Sequence, residues 1–580
     1  MSNKTNTIEE QRAQILQAKK EGKLSMLKTF TKFSGPGWLQ SATTLGGGSL
    51  ASALYLGVLG GFGLMWLQPM AMILGIIMLA AISYVTLSIK DKPIEAINRE
   101  ISPILGYAWA GGSMFACLVF AMPQFALTIA GVTQNLGIGS VNGEVAKSTE
   151  VIITFSFFAL AVFLVYLYAK GGKALKFFEW IIKLSVASIV VCFFGVVLSL
   201  SLSGDIQWSR VFSGFMPNFS LLNSPAEDFV SHLNALGEAG KEFWTNLIVS
   251  QQRDVIISAA AMAVGINMTF LFPYSMLKKG WNKDFRELAI FDLATGLFIP
   301  FLLGTSCIVI AAASQFNAKP AEGLITSTII ENKLVAQEID GVKIEPAKNL
   351  IDGYVGLLNT RVAKEKGISL EEFKALPNSE KDALRNGLSQ EEKTMAAMLV
   401  KRDASNLSVT LEPLLGKEVA RYVFGFGVVG MAVNAMLMNM LICGLCFSVI
   451  IGKFGIPKWQ LIGSLLVGFS ALTSLFVASE AKMWLIINAG VMAMIFLPIA
   501  YGAFLAIMNT KSIMGESMPK GKARLAWNVL MTISLIASIG ASAWVLHTKA
   551  GVAGPVLLGV FALIVIIDAK FKIVNRIFKR

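Results

Sequence analysis

Apolar runs of about twenty residues recur twelve times in this 580-residue chain, and that recurrence constrains its fold more than any other feature. They fall at about 36–60, 63–89, 104–134, 150–169, 175–203, 255–279, 286–314, 421–451, 459–479, 483–508, 524–547 and 551–568. Each is long enough to cross a bilayer. Inside hydrocarbon every backbone polar group must find its partner within the protein, so a chain that crosses this often does so as helices. With 54% hydrophobic residues and a mean hydropathy of +0.63, the expected class is an all-α polytopic membrane protein with about twelve transmembrane helices.

The net charge of +13 reads as topology rather than as nucleic-acid affinity. Lys and Arg gather at alternate ends of the runs: Lys19 to Lys32, then Lys90, Lys92 and Arg99, then Lys170, Lys173 and Lys176. The series continues with Lys278 to Arg286, Lys453 and Lys458, Lys511 to Arg524, and Lys570 to Arg580. That alternation places both termini in the cytoplasm. The expected location is a bacterial-type inner membrane, and the polar lead-in before the first run does not read as a cleavable signal.

All five cysteines lie within apolar runs, where packing is the expected role. Cys443-Gly-Leu-Cys446 has metal-motif spacing but no second pair to complete a site. His232 and His547 are the only histidines, so no histidine metal cluster is expected. The chain shows no nucleophile–base pair. It reads as neither an enzyme nor a holder of a cofactor or resident metal.

Two of the runs are interrupted. The first carries Thr43-Thr44-Leu45-Gly46-Gly47-Gly48-Ser49, three glycines that each weaken a helix interior by about 1 kcal/mol. Unwound backbone at this depth survives only where it is buried in protein or lines a cavity. Glycines that merely admit a neighbouring helix are the alternative. The sixth run carries Ala263-Val264-Gly265-Ile266-Asn267-Met268-Thr269, with Pro273 beyond it. Interruptions five runs apart point to an inverted repeat of five plus five helices with discontinuous helices 1 and 6. A binding site is then expected where the breaks meet.

Other features are secondary. Residues 1–33 read as an amphipathic cytoplasmic helix on the membrane surface. Met122-Pro123-Gln124 predicts a kink in the third run. Glu179 and Lys183, four apart, are expected to neutralise each other, or Lys183 to attract an anion. Asp292 is expected to meet a lysine of a neighbouring helix. The expected division is a first repeat over 34–203, an external loop over 204–254, helices six and seven over 255–314, and an external cap over 315–419. Helices eight to ten then occupy 420–509, two peripheral helices 510–568 and a tail 569–580. Three capping-box patterns, Ser369-x-x-Glu372, Ser379-x-x-Asp382 and Ser389-x-x-Glu392, predict short helices in the cap.

The chain resembles the Nramp family of divalent-metal transporters. The residues that carry the likeness are Gly35-Pro36-Gly37-Trp38, Gly60-Gly61-Phe62-Gly63-Leu64-Met65-Trp66 and Gly171-Gly172-Lys173-Ala174-Leu175. Leu497-Pro498-Ile499-Ala500 and Lys511-Ser512-Ile513-Met514-Gly515 agree as well. The likeness covers roughly 30–310 and 420–546, omits 315–419, and implies a LeuT-like fold. The family's Asp-Pro-Gly-Asn is here Gly46-Gly47-Gly48-Ser49, and its Met-Pro-His before Asn is Val264-Gly265-Ile266 before Asn267. Its third-run carboxylate falls around Pro123-Gln124.

With those ligands gone, the glycine triplet reads as a nest of free N–H groups that favours anions. Helix N-termini and the neutral donors of Thr43, Thr44, Ser49, Asn267, Thr269 and Gln124 reinforce that reading. The expected substrate-binding set is therefore Thr43, Thr44, Gly46, Gly47, Gly48, Ser49, Gly265, Ile266, Asn267, Thr269 and Gln124. The function expected from it is alternating-access transport of a small anion, bicarbonate first, with sodium as a coupling ion. Two alternatives stand beside it: a carrier of hydrated magnesium or manganese, and a non-transporting receptor on the same fold. Expected partners are the ion and the lipid bilayer, with no nucleic acid; no oligomeric state is readable.

Overall fold

The computed structural model of the protein describes residues 2–89, 91–141, 144–331, 333–339, 342–402, 416–476 and 482–578. Among them, eleven helices are long and apolar enough to cross a membrane. The ninth expected span folds as a shorter helix, Pro457–Ala471, prolonged by 3-10 turns over Leu472–Phe476. Residues 477–481, at the end of that run, lie outside the described set.

Both expected breaks are present. Span one is a helix over Pro36–Thr44, a turn at Leu45 and Gly46, and a second helix over Gly47–Gly60. Span six runs as Glu238–Ala263, breaks at Val264 and Gly265, and resumes as Ile266–Lys279. None of the break residues has positive φ: Gly46 sits at φ −114° and Gly265 at φ −83°. Glycine is therefore not demanded here by backbone angles. What it supplies is room. A Cβ at Gly46 would fall on Ala435, one at Gly47 within 2.5 Å of Leu127 and 2.6 Å of Gln124, and one at Gly48 within 2.8 Å of the Met262 methyl. The outer half of span one is buried along its whole length, and Gly57 lets it approach Ala312 and the Val309 carbonyl of span seven (Ile299–Phe316).

The inner foot of span one is held by charge, with partners other than those expected. Asp292 is buried and accepts from the Ser34 hydroxyl, from the Gly37 amide at 2.7 Å and from the Gly35 amide at 3.2 Å. The carboxylate thus meets free N–H groups at a helix start instead of a lysine. Glu179 pairs with Lys279 at 3.0 Å rather than with Lys183, and Lys183 donates to the Ser34 carbonyl at 2.7 Å. The i,i+4 rule lost to tertiary packing because span six brings a second lysine to the same place.

The lead-in forms two helices, Ser2–Glu21 and Lys23–Phe33, docked on the protein. Arg12 pairs with Asp284 at 2.5 Å, Lys19 pairs with Glu287 at 2.9 Å, and Phe30 meets Phe291 edge-on. Pro123 sits inside the unbroken helix Pro103–Ala130. All five cysteines are buried. Spans eleven and twelve, Gly521–Ala550 and Ala553–Phe571, are the least buried of the candidate spans and stand at the periphery.

The insertion mixes elements. Beside four helices (Lys348–Lys366, Leu370–Ala375, Asn378–Asn386 and Gln390–Leu399) it holds antiparallel hairpins, Ser327–Ile330 with Lys333–Ala336 and Glu338–Ile339 with Val342–Lys343. Ser369 with Glu372 forms the expected capping box. Ser389 caps its helix, but Glu392 turns away to Arg361. Ser379 does not cap: the helix already starts at Asn378 after Pro377, and Asp382 pairs with Arg385.

Candidate functional site

Where the breaks meet, the structure encloses a cavity of about 30 Å³. Roughly two water-sized guests fill such a volume. Thr43, Thr44, Gly48 and Ser49 of span one line it, with Ala261, Met262, Gly265, Asn267 and Met268 of span six. Phe120 and Gln124 of span three and Ala435 and Asn439 of span eight complete the wall. None of these thirteen side chains ionises. Among the described residues no group of three or more His, Cys, Asp or Glu is placed to hold a metal ion.

The polar groups of the wall have a consistent orientation. Thr43 Oγ1 donates to the Leu39 carbonyl at 2.9 Å, Thr44 Oγ1 reaches the Ala263 carbonyl at 3.4 Å, and Ser49 Oγ donates to the Thr44 carbonyl. With their hydrogens turned into the protein (that of Thr44 toward the Ala263 carbonyl or the Met268 sulfur), these hydroxyls keep lone pairs for a guest. The Gly47 amide donates to Gln124 Oε1 at 3.2 Å. Asn267 Nδ2 donates to Asn439 Oδ1 at 3.0 Å, and Asn267 Oδ1 accepts from the Met268 amide at 3.0 Å. Each amide oxygen retains a second lone pair. Two thioethers complete the set: Met262, packed over Gly48, and Met268, whose sulfur lies 3.1 Å from Thr44 Oγ1.

Seven of the eleven residues expected from sequence line the cavity: Thr43, Thr44, Gly48, Ser49, Gly265, Asn267 and Gln124. Four do not. Gly46 faces Ala435 and Gly47 faces Leu127 and Gln124. Ile266 is fully buried, and its carbonyl accepts from Thr269 at 2.5 Å. Thr269 in turn accepts from Trp109 at 2.9 Å, on the inner side of the break. The open nest is also corrected. The amide of its second glycine, Gly47, is taken by Gln124, and the space over its glycines is filled by Ala435, Leu127 and Met262.

The dipole argument was one-sided. Helix C-termini at Thr44 and Ala263 face the same point as the N-termini at Gly47 and Ile266, so positive and negative ends offset. Sequence reasoning missed Met262, Met268 and Asn439. The signal for Asn439 was an amide in the apolar run Ala435-Met436-Leu437-Met438-Asn439-Met440, since a polar residue at membrane depth is a site candidate by default.

A helical bundle whose two broken spans converge on a small cavity has the architecture of a membrane ion transporter. The chain belongs to the Nramp family: the model described as natural resistance-associated macrophage protein-like matches residues 37–334 and 392–548. The solved structures it matches include a variant of the manganese transporter of Eremococcus coleocola, at 12% identity and TM-score 0.55, over 95% of each chain. Another is the same transporter in complex with an aromatic bis-isothiourea substituted compound, at 12% identity and TM-score 0.57 over 96% of each chain. A search among curated proteins returns no match. The LeuT-like multi-pass fold that the resemblance implied is thus the fold found, and a small inorganic ion is the class of cargo that fits the family.

Proposed function

We propose that the protein is a secondary transporter of a divalent transition-metal cation, held at the meeting of the two breaks by neutral oxygens and thioethers. The observation that carries this reading is the polarity of the cavity. Three hydroxyls present lone pairs because their hydrogens are spent within the protein, on backbone carbonyls and, for Thr44, on the Ala263 carbonyl or the Met268 sulfur, and the Gly47 amide is spent on Gln124. Acceptor oxygens favour a cation.

Size and softness narrow the class. A cavity of about 30 Å³ has no place for an ion with its full water shell, so the hydrated-magnesium alternative fits poorly. Thioether sulfur is a ligand for transition metals rather than for magnesium. The structural neighbours, which are manganese transporters, support the same class. Bicarbonate, the first expectation, draws no support from the family or from those neighbours, and neither does sodium coupling. Without an anionic ligand the site binds weakly, at about 10⁻⁴ M or above, because ligand charge tunes affinity for such ions. The test is uptake of labelled manganese, magnesium and bicarbonate, side by side, into liposomes containing the purified protein. Saturable manganese uptake is expected; uptake of bicarbonate alone would overturn the proposal.

A further inference from the structure

The family match leaves out residues 335–391, within the external cap. The cap's attachments are specific. Arg402, at the end of the described cap, donates to the Lys319 carbonyl at 2.7 Å and lies over the Phe316 ring at 4.7 Å, closing the two ends of the insertion on each other. The Arg402 carbonyl accepts from Tyr55 Oη at 2.9 Å, and Asn317 Nδ2 donates to the Val58 carbonyl at 2.9 Å. Tyr55 and Val58 belong to the outer half of span one.

A second attachment reaches span six. Arg361 and Glu392 form a buried pair at 2.7 Å. The guanidinium lies 5.7 Å from the Phe243 ring, and Glu392 packs where a Cβ at Gly240 would stand. Gly240 and Phe243 lie in the outer extension of span six. Between the two outer halves, just beyond the cavity, Ser52 and Ser258 meet at 3.0 Å with both side chains buried.

We infer that the cap is a brace: it ties the outer halves of spans one and six to one rigid body and thereby holds the seam at Ser52 and Ser258 closed from outside. Parting that seam must break the Tyr55 and Asn317 attachments or carry the cap along. Rigid packed bodies transmit such a constraint because cores do not deform continuously. The inference is independent of which ion is carried.

The experiment uses the full chain with Ser52→Cys as reporter and a membrane-impermeant thiol reagent added outside. The chain with its native buried cysteines serves as background. Tyr55→Phe and Asn317→Ala each remove one attachment and leave the cavity wall untouched. Each is expected to raise the labelling rate about fivefold, the factor that one hydrogen bond of about 1 kcal/mol sets. The double variant is expected to exceed either single one. The fold is checked by monodispersity and by a cooperative thermal unfolding transition. A labelling rate that stays at the wild-type value in the folded double variant would overturn the brace, whatever the transport assays give.

Discussion

Asn439→Asp tests the sign of the cargo with the least structural disturbance. Asp is isosteric with Asn, and its carboxylate keeps the hydrogen bond from Asn267 Nδ2 because the native partner there is an acceptor oxygen. Asn439 lines a cavity of about 30 Å³, so the new charge stands within roughly 4 Å of any guest. Two unit charges at about 4 Å interact by roughly 4 kcal/mol at an effective dielectric near 20, and a dication doubles that. Burying the carboxylate takes back several kcal/mol. A net gain of about 1.4–3 kcal/mol, or ten- to a hundredfold in manganese affinity, is the expected scale. The gain belongs to the ionised form: it is present at high pH and is lost once the introduced carboxyl is protonated. The assay is the manganese KM in proteoliposomes at pH 6 and pH 8, with maximal rate recorded because tighter binding slows release. An affinity that is unchanged or weaker at pH 8 would refute a cation at this position. The same carboxylate placed at Gly46 would meet Ala435 instead of the cavity and test nothing.

Three further outcomes follow from the geometry. Gly48→Ala pushes a methyl into Met262 and is expected to reduce uptake at least tenfold, whereas Gly111→Ala, with open space at its Cβ in a helix of span three, is expected to leave uptake unchanged and stability equal or higher by up to about 1 kcal/mol; uptake and thermal unfolding of the two variants compare them. Met262→Leu keeps the volume and removes the sulfur, so it is expected to lower the ratio of manganese to magnesium uptake severalfold, read in a competition assay. Wild-type uptake is expected to vary less than about twofold between pH 6 and 8, because no lining side chain titrates in that range; a steep profile would point to an ionisable group outside the wall.

The bundle was legible because its cause is local: apolar length, basic flanks and two glycine-bearing interruptions can each be read along the chain. The chemistry of the site was not. Whether Thr44 offers a hydrogen or a lone pair depends on the Ala263 carbonyl brought to it from span six, and no spacing encodes that. The glycine triplet invited an argument from backbone freedom, yet the breaks hold ordinary negative φ and the glycines are there to admit Ala435, Gln124 and Met262. The same limit explains Glu179, whose partner lies on another span at Lys279 rather than one turn away at Lys183. Asp292 was visible as a buried acid, but the amides of Gly35 and Gly37 that hold it were not.

The central claim is that the cavity between the two breaks binds a metal cation through Asn267 and its neighbours, and calorimetric titration of purified protein with manganese addresses it most directly. The account predicts one saturable site per chain, with a Kd of about 10⁻⁴ M or weaker, that vanishes in a folded Asn267→Ala variant while bicarbonate gives no saturable heat. Saturable bicarbonate binding that is lost in Asn267→Ala, with no manganese heat in the wild type, would contradict it.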